Sequence, residues 1–134
     1  MGSKMQRLFL KSKDGQSLLE FALVLPLLLL LLFGITEFGR AIMITSLLNS
    51  ASREAAILVA YGDGDSLRVA ARVAEVMEAA NIDAKAITMQ TILVDGINYV
   101  EVTVTADFEI LSAGILDPFM GTFELKGRTV MRII

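Results

Sequence analysis

The chain has 134 residues, 54% of them hydrophobic, with a net charge of −3, no cysteine and no histidine. That length holds one small domain. Those absences exclude a disulfide framework, a thiolate metal site, and the commonest general base.

The charge is unevenly placed. Before Gln16 lie Lys4, Arg7, Lys11, Lys13 and Asp14, a net +3, whereas the remainder sums to −6. Basic residues ahead of an apolar run, with acidic ones after it, follow the positive-inside rule. The expected topology is an amino terminus in the cytoplasm and a carboxy-terminal head outside. The acidic head argues against nucleic acid as a partner.

Residues 1–15 are polar and basic and read as a cytoplasmic leader. Residues 16–36 read as the membrane-spanning part of a helix. Phe21–Thr36 carries no charge, and Leu27–Leu32 is an unbroken leucine run. At the helical rise its sixteen residues cover about 24 Å, short of a hydrocarbon core of about 30 Å. Adding Gln16–Leu19 supplies the missing length but brings Glu20 to or inside the lipid boundary. No small-x-small site ends the run, so it is not an ordinary secretory signal. Residues 37–134 form the expected extracytoplasmic αβ head, including the rest of the helix.

Ala41, Ile44, Leu48, Ala51, Ala55 and Leu58 form one apolar stripe at spacings of three and four, with Ser46, Asn49, Ser50 and Arg53 off it. One helix is therefore predicted from about Gln16 to Ala60, with Pro26 inside it and expected to kink it. Gly62-Asp63-Gly64 stops it, and Asp65 or Ser66 caps a second helix over Leu67–Ala80. In that helix Ala70, Val73, Ala74, Met77 and Ala80 are the apolar positions. Arg68, Arg72, Glu75 and Glu78 make the polar face. Asn81 ends it.

The period then changes. Ala86–Val94 is rich in β-branched residues, and Asp95-Gly96 signals a two-residue hairpin. Val100, Val102, Val104, Ala106 and Phe108 alternate with Glu101, Thr103, Thr105, Asp107 and Glu109, the pattern of a strand with one wet face. Leu111–Gly121 reads as a loop or short helix with an Asp117-Pro118 turn, and Phe123–Ile133 as a third strand. The fold class is α+β: a long helix, a second helix and a small three-stranded antiparallel sheet. Met43, Met77, Met89, Met120 and Met131 are expected in the core.

Gly15-Gln16-Ser17-Leu18-Leu19-Glu20-Phe21 opens the apolar run, with Glu at the fifth place after Gly and an aromatic next. Here the chain resembles the type IV pilin superfamily, in its Flp/Tad branch. Phe21–Leu30 with Pro26, then Gly34-Ile35-Thr36-Glu37-Phe38-Gly39-Arg40-Ala41, look like the signature of TadE-like minor pseudopilins. Asn49-Ser50-Ala51-Ser52-Arg53-Glu54-Ala55-Ala56 is similar to its next block, with Ala55 where such chains commonly carry Gly. The likeness is close over residues 15–56, and beyond them Arg128-Thr129-Val130-Met131-Arg132 is loosely similar.

The resemblance implies cleavage by a membrane prepilin peptidase between Gly15 and Gln16, with Glu20 and Phe21 serving assembly. It implies a bacterial inner-membrane protein, single-pass, whose partners are that peptidase, other pilins and minor pilins, the inner-membrane assembly platform and lipid. The new α-amino group would lie one helical turn from Glu20. Pairing with it, in the same or a neighbouring subunit, would offset the cost of a carboxylate in lipid. The alternative is that Glu20 marks the membrane edge, in an uncleaved single-pass protein that tethers an extracytoplasmic binding module. Pro26, Glu37, Arg40, Arg53 and Glu54 are candidate helix contacts. Glu37 and Arg40, like Ser50 and Glu54, are spaced for intrahelical pairing.

No cofactor is expected, and no nucleophile–base arrangement supports catalysis. Asp63 and Asp65 flank Gly64 as oxygen donors, but a Ca²⁺ loop needs more donors at fixed spacing, and a turn before a helix cap explains them better.

Overall fold

The computed structural model describes residues 2–111 and 122–134, with side chains from residue 13. The expected Asp117-Pro118 turn and Met120 lie outside the described residues. Five elements follow in order: α1 (Gly2–Ala60), α2 (Ser66–Glu78), β1 (Ala86–Val94), β2 (Ile97–Phe108) and β3 (Phe123–Arg132). The chain is α+β, as the periodicities predict.

It divides into two units, Met1–Thr36 and Glu37–Ile134. The first is wholly helical in its described part. The helix begins ahead of Gln16, since Lys, Arg, Gln, Met and Leu are good helix formers and lengthening an existing helix needs no new nucleus. Pro26 lies inside α1, which is helical on both sides of it. The helix is long and apolar enough here to cross a membrane, and its most apolar stretch is not buried.

The second unit packs the rest of α1, together with α2, on the sheet. α1 ends in a left-handed Gly62 (φ 87°), where the Gly62 N–H donates to the Val59 carbonyl and the Asp63 N–H to that of Leu58. Those are the two bonds of a Schellman cap. The Asp65 carboxylate accepts the Leu67 N–H and starts α2. Asn81 (φ 53°) ends α2 with the same pair of bonds, from Asn81 to Glu78 and from Ile82 to Met77.

The sheet is an antiparallel meander in the order β1-β2-β3. Asp95 and Gly96 both take positive φ, as the two-residue turn requires. Val100, Val102, Val104, Ala106 and Phe108 of β2 are buried against Ile44, Leu48, Ala51, Ala55 and Ala56 of α1 and Val69, Val73 and Met77 of α2. The α1 stripe is the one its spacing predicts.

Three expectations are corrected. The buried face of α2 is Val69-Val73-Met77, with Val76 partly buried, while Ala70 and Ala74 are exposed. Branched side chains bury more surface than methyl groups, so the helix turns its valines inward. Thr105 is buried on the face expected to be wet, its hydroxyl donating to the Ala86 carbonyl. Met43 and Met89 are exposed, while Met77 is core and Met131 packs against it.

α1 comes unusually close to β3. A Cβ built on Gly127 falls less than 3.0 Å from the Leu48 carbonyl group and the Asn49 nitrogen, all backbone atoms. The Asn49 side-chain oxygen accepts the Arg128 N–H (3.3 Å), and the hydroxyls of Ser52 and Thr129 are hydrogen bonded at 2.6 Å. Buried Ser52 also donates to the Asn49 carbonyl, so its polar atom is satisfied.

Candidate membrane and assembly segment

In the first unit, Gly15, Gln16, Glu20 and Phe21 are exposed on one helix. The Gly15–Gln16 bond is helical and therefore has to unwind before a protease can take it in extended form. Gly loses little on leaving a helix, being about 1 kcal/mol less favourable there than Ala. Open space surrounds the position where a Gly15 side chain would project. Glu20 makes no ion pair or hydrogen bond among the described residues. Its carboxylate stands at the amino-terminal side of a run in which Leu18 to Phe33 expose nearly every large side chain. A surface of that kind is matched by lipid or by other apolar helices, not by water.

In the second unit, four candidate charges separate by what they touch. Glu37 is largely enclosed, its side chain 14% exposed. One carboxylate oxygen accepts from Arg40 at 2.9 Å, and the other accepts the Leu111 N–H at 2.9 Å. Arg40 also reaches the Glu109 carbonyl (3.4 Å) and lies over the Phe108 ring, 5.1 Å from its centre. A guanidinium over an aromatic face is attracted by the ring quadrupole. Glu37 and Arg40 do pair within the helix, as their spacing predicts, and together they also clasp the end of β2.

Glu54 pairs with Arg72 of α2 at 3.3 Å, while Ser50 donates instead to the Ser46 carbonyl. The Ser50–Glu54 pairing expected from spacing is thus replaced by a tie between helices. Arg72 also meets Glu75 at 2.7 Å. The Glu75 hydrogen bond and charge, then those of Glu54, raise the Arg72 pKa above its ordinary value. Arg53 is exposed and makes no ion pair among the described residues.

Asp63 pairs with Arg68, and Asp65 caps α2. Both are accounted for by the turn. Among the described residues no group of three acidic side chains is placed to hold a metal ion. On the outer sheet face Lys85 bridges Asp107 (2.9 Å) and Glu124 (3.4 Å). The hydrogen bond to Asp107 is the main cause that raises the Lys85 pKa.

Residues 15–56 match the TadE-like protein family. Over this stretch, less than half of the chain, the sequence is similar to that family. No curated protein and no solved structure matches it. Together with the long apolar helix, the match fits a membrane-anchored protein related to Tad pili.

The TadE-like stretch covers the apolar run and the part of α1 that docks on the sheet, and the structure gives its polar residues specific partners. Asn49 occupies the open edge of β3, Ser52 meets Thr129, and Glu54 meets Arg72. Ala55, where Gly is common in such chains, is fully buried. Asn49, Ser52 and Gly127 were not readable as a group from sequence. Their partners lie more than 70 residues away, and no local period marks them.

Proposed function

We propose that this TadE-like chain is a minor pseudopilin that acts in assembly of a Tad/Flp-type pilus, cut by a prepilin peptidase between Gly15 and Gln16. The observation that carries the reading is Glu20: an exposed carboxylate without a partner among the described residues, one helical turn from the new chain start, at the edge of a lipid-compatible helix. After cleavage the Gln16 ammonium supplies the missing charge. Formed between neighbouring subunits, the pair sets their register. The chain's work is then binding, with other pilins and the inner-membrane platform as partners, and catalysis plays no part. Arg53, exposed and without an ion pair among the described residues, is a contact for a partner's acidic group.

The Gly15–Gln16 bond lies within α1, and this favours a second reading: an uncleaved single-pass anchor carrying an extracytoplasmic binding module. Intact mass of protein taken from membranes separates the two. Loss of residues 1–15 is expected in a host with the peptidase, and Gly15→Ala accumulates full-length chain. Retention of the leader by the unaltered protein refutes the pilus reading. Glu20→Ala inserts normally but fails to assemble, and assembly at the unaltered level would refute the pairing.

A further inference from the structure

Between Phe21 and Ile44 only three side chains are polar: Thr36, Glu37 and Arg40. Each is satisfied within the chain. The Thr36 hydroxyl donates to the Leu32 carbonyl at 3.0 Å, a back-bond that hides it in the helix. Glu37 and Arg40 pair with each other and with the backbone of Glu109 and Leu111. Of the apolar residues in the same turns, Ala41 and Ile44 pack on the core and three others point away from it. Phe38, Ile42 and Met43 are 74%, 67% and 57% exposed. Leu111, whose N–H is held by Glu37, is exposed as well.

A helix docked on a domain in water shows the opposite arrangement, with charges outward and apolar groups against the core. Here Ala41 and Ile44 do face the core, but the opposite face presents Phe38, Ile42 and Met43, while Glu37 is enclosed and Arg40 half-buried. An outward face of that kind, with its polar neighbours satisfied internally, suits lipid.

We infer that the lipid surface reaches along α1 to Ile42 and Met43, about two helical turns beyond the uncharged run. The inference rests on the membrane-anchored reading and sharpens where the anchor ends. What identifies lipid as the occupant is continuity: Phe38 and Ile42 directly follow the apolar run in the same helix. Length agrees. Phe21–Thr36 covers about 24 Å, whereas Phe21–Met43 covers about 35 Å, enough for a hydrocarbon core of about 30 Å with modest tilt. The shortfall is met at the carboxy-terminal side, and Glu20 stays at headgroup level in a free subunit.

The chain has no cysteine, so single cysteines report cleanly. Leu29→Cys, Phe38→Cys, Ile42→Cys, Ser46→Cys and Ser50→Cys are each spin-labelled in the full chain, reconstituted in phosphatidylcholine–phosphatidylglycerol vesicles. Collision with oxygen, which concentrates in lipid, is compared with collision with a water-soluble nickel chelate. Positions 29, 38 and 42 are expected to favour oxygen, and 46 and 50 the chelate. If 29 favours oxygen while 38 and 42 behave like 46, the inference is overturned and the anchor stands. If 29 itself meets the chelate, the anchor reading falls and takes the inference with it. Protection of 38 and 42 from both reagents, relieved by diluting protein in lipid, means a second copy covers them and also overturns it.

Discussion

Replacing Gly127 by Ala adds one carbon where α1 and β3 meet backbone to backbone. The new Cβ would lie inside 3.0 Å of the Leu48 carbonyl group and the Asn49 nitrogen. No side-chain rotation relieves that overlap, because every atom in contact is main chain. Helix and strand must separate, and the separation strains the Asn49–Arg128 and Ser52–Thr129 hydrogen bonds. Overpacking of this kind costs about 1–3 kcal/mol, and the weakened bonds bring the expected loss to about 2–4 kcal/mol. For a unit of this size each kcal/mol moves Tm by about 4–8 °C, so a fall of at least about 8 °C is expected. The assay is thermal unfolding of the full chain in detergent, followed by near-ultraviolet circular dichroism. Gly39→Ala is the control. It is an exposed helical glycine with open space around it, and Ala there is expected to be neutral or to stabilise by about 0.5–1 kcal/mol. If Gly127→Ala melts within about 2 °C of the unaltered protein, the close approach does not hold the head together.

Glu37→Ala leaves the Leu111 N–H and the Arg40 guanidinium without their shared acceptor, and about 1–3 kcal/mol of head stability is expected to go. Denaturant unfolding measures it, with an unchanged midpoint counting against the clasp. The Lys85 bridge predicts an alkaline effect. Its pKa is raised in the fold, so its stabilisation is fully present below the ordinary value of 10.5 and is lost as pH rises through the folded value. Melting temperature should therefore fall across that window, and Lys85→Met should flatten this part of the profile.

Much of the fold is legible because its signals are local. The Asp95-Gly96 turn, the alternation from Val100 to Phe108 and the α1 stripe from Ala41 to Leu58 are each set by nearby residues, and apart from Thr105 each appears where its period places it. The face of α2 is harder to read because Ala counts as apolar yet gains little by burial, so a pattern through Ala70, Val73, Ala74 and Met77 passes over Val69. Met43 differs for another reason: composition shows that it is apolar, but not which way its helix turns it. The candidate site divides in the same way. Glu37 and Arg40 show their pairing through a spacing of three, whereas their hold on Leu111 and Glu109 spans some 70 residues of chain. The tie from Glu54 to Arg72 depends on how two helices pack, and no spacing in the sequence encodes that.

The two borders of the sheet differ. α1 flanks β3, with Asn49 occupying an outward N–H and Gly127 pressed against helix backbone. No described hydrogen bond reaches the outer side of β1. Among the described residues, β1 is therefore the border more open to a foreign strand. Two heads that met through β1 would each cover the other's open border, which favours a closed pair over an open chain of strands.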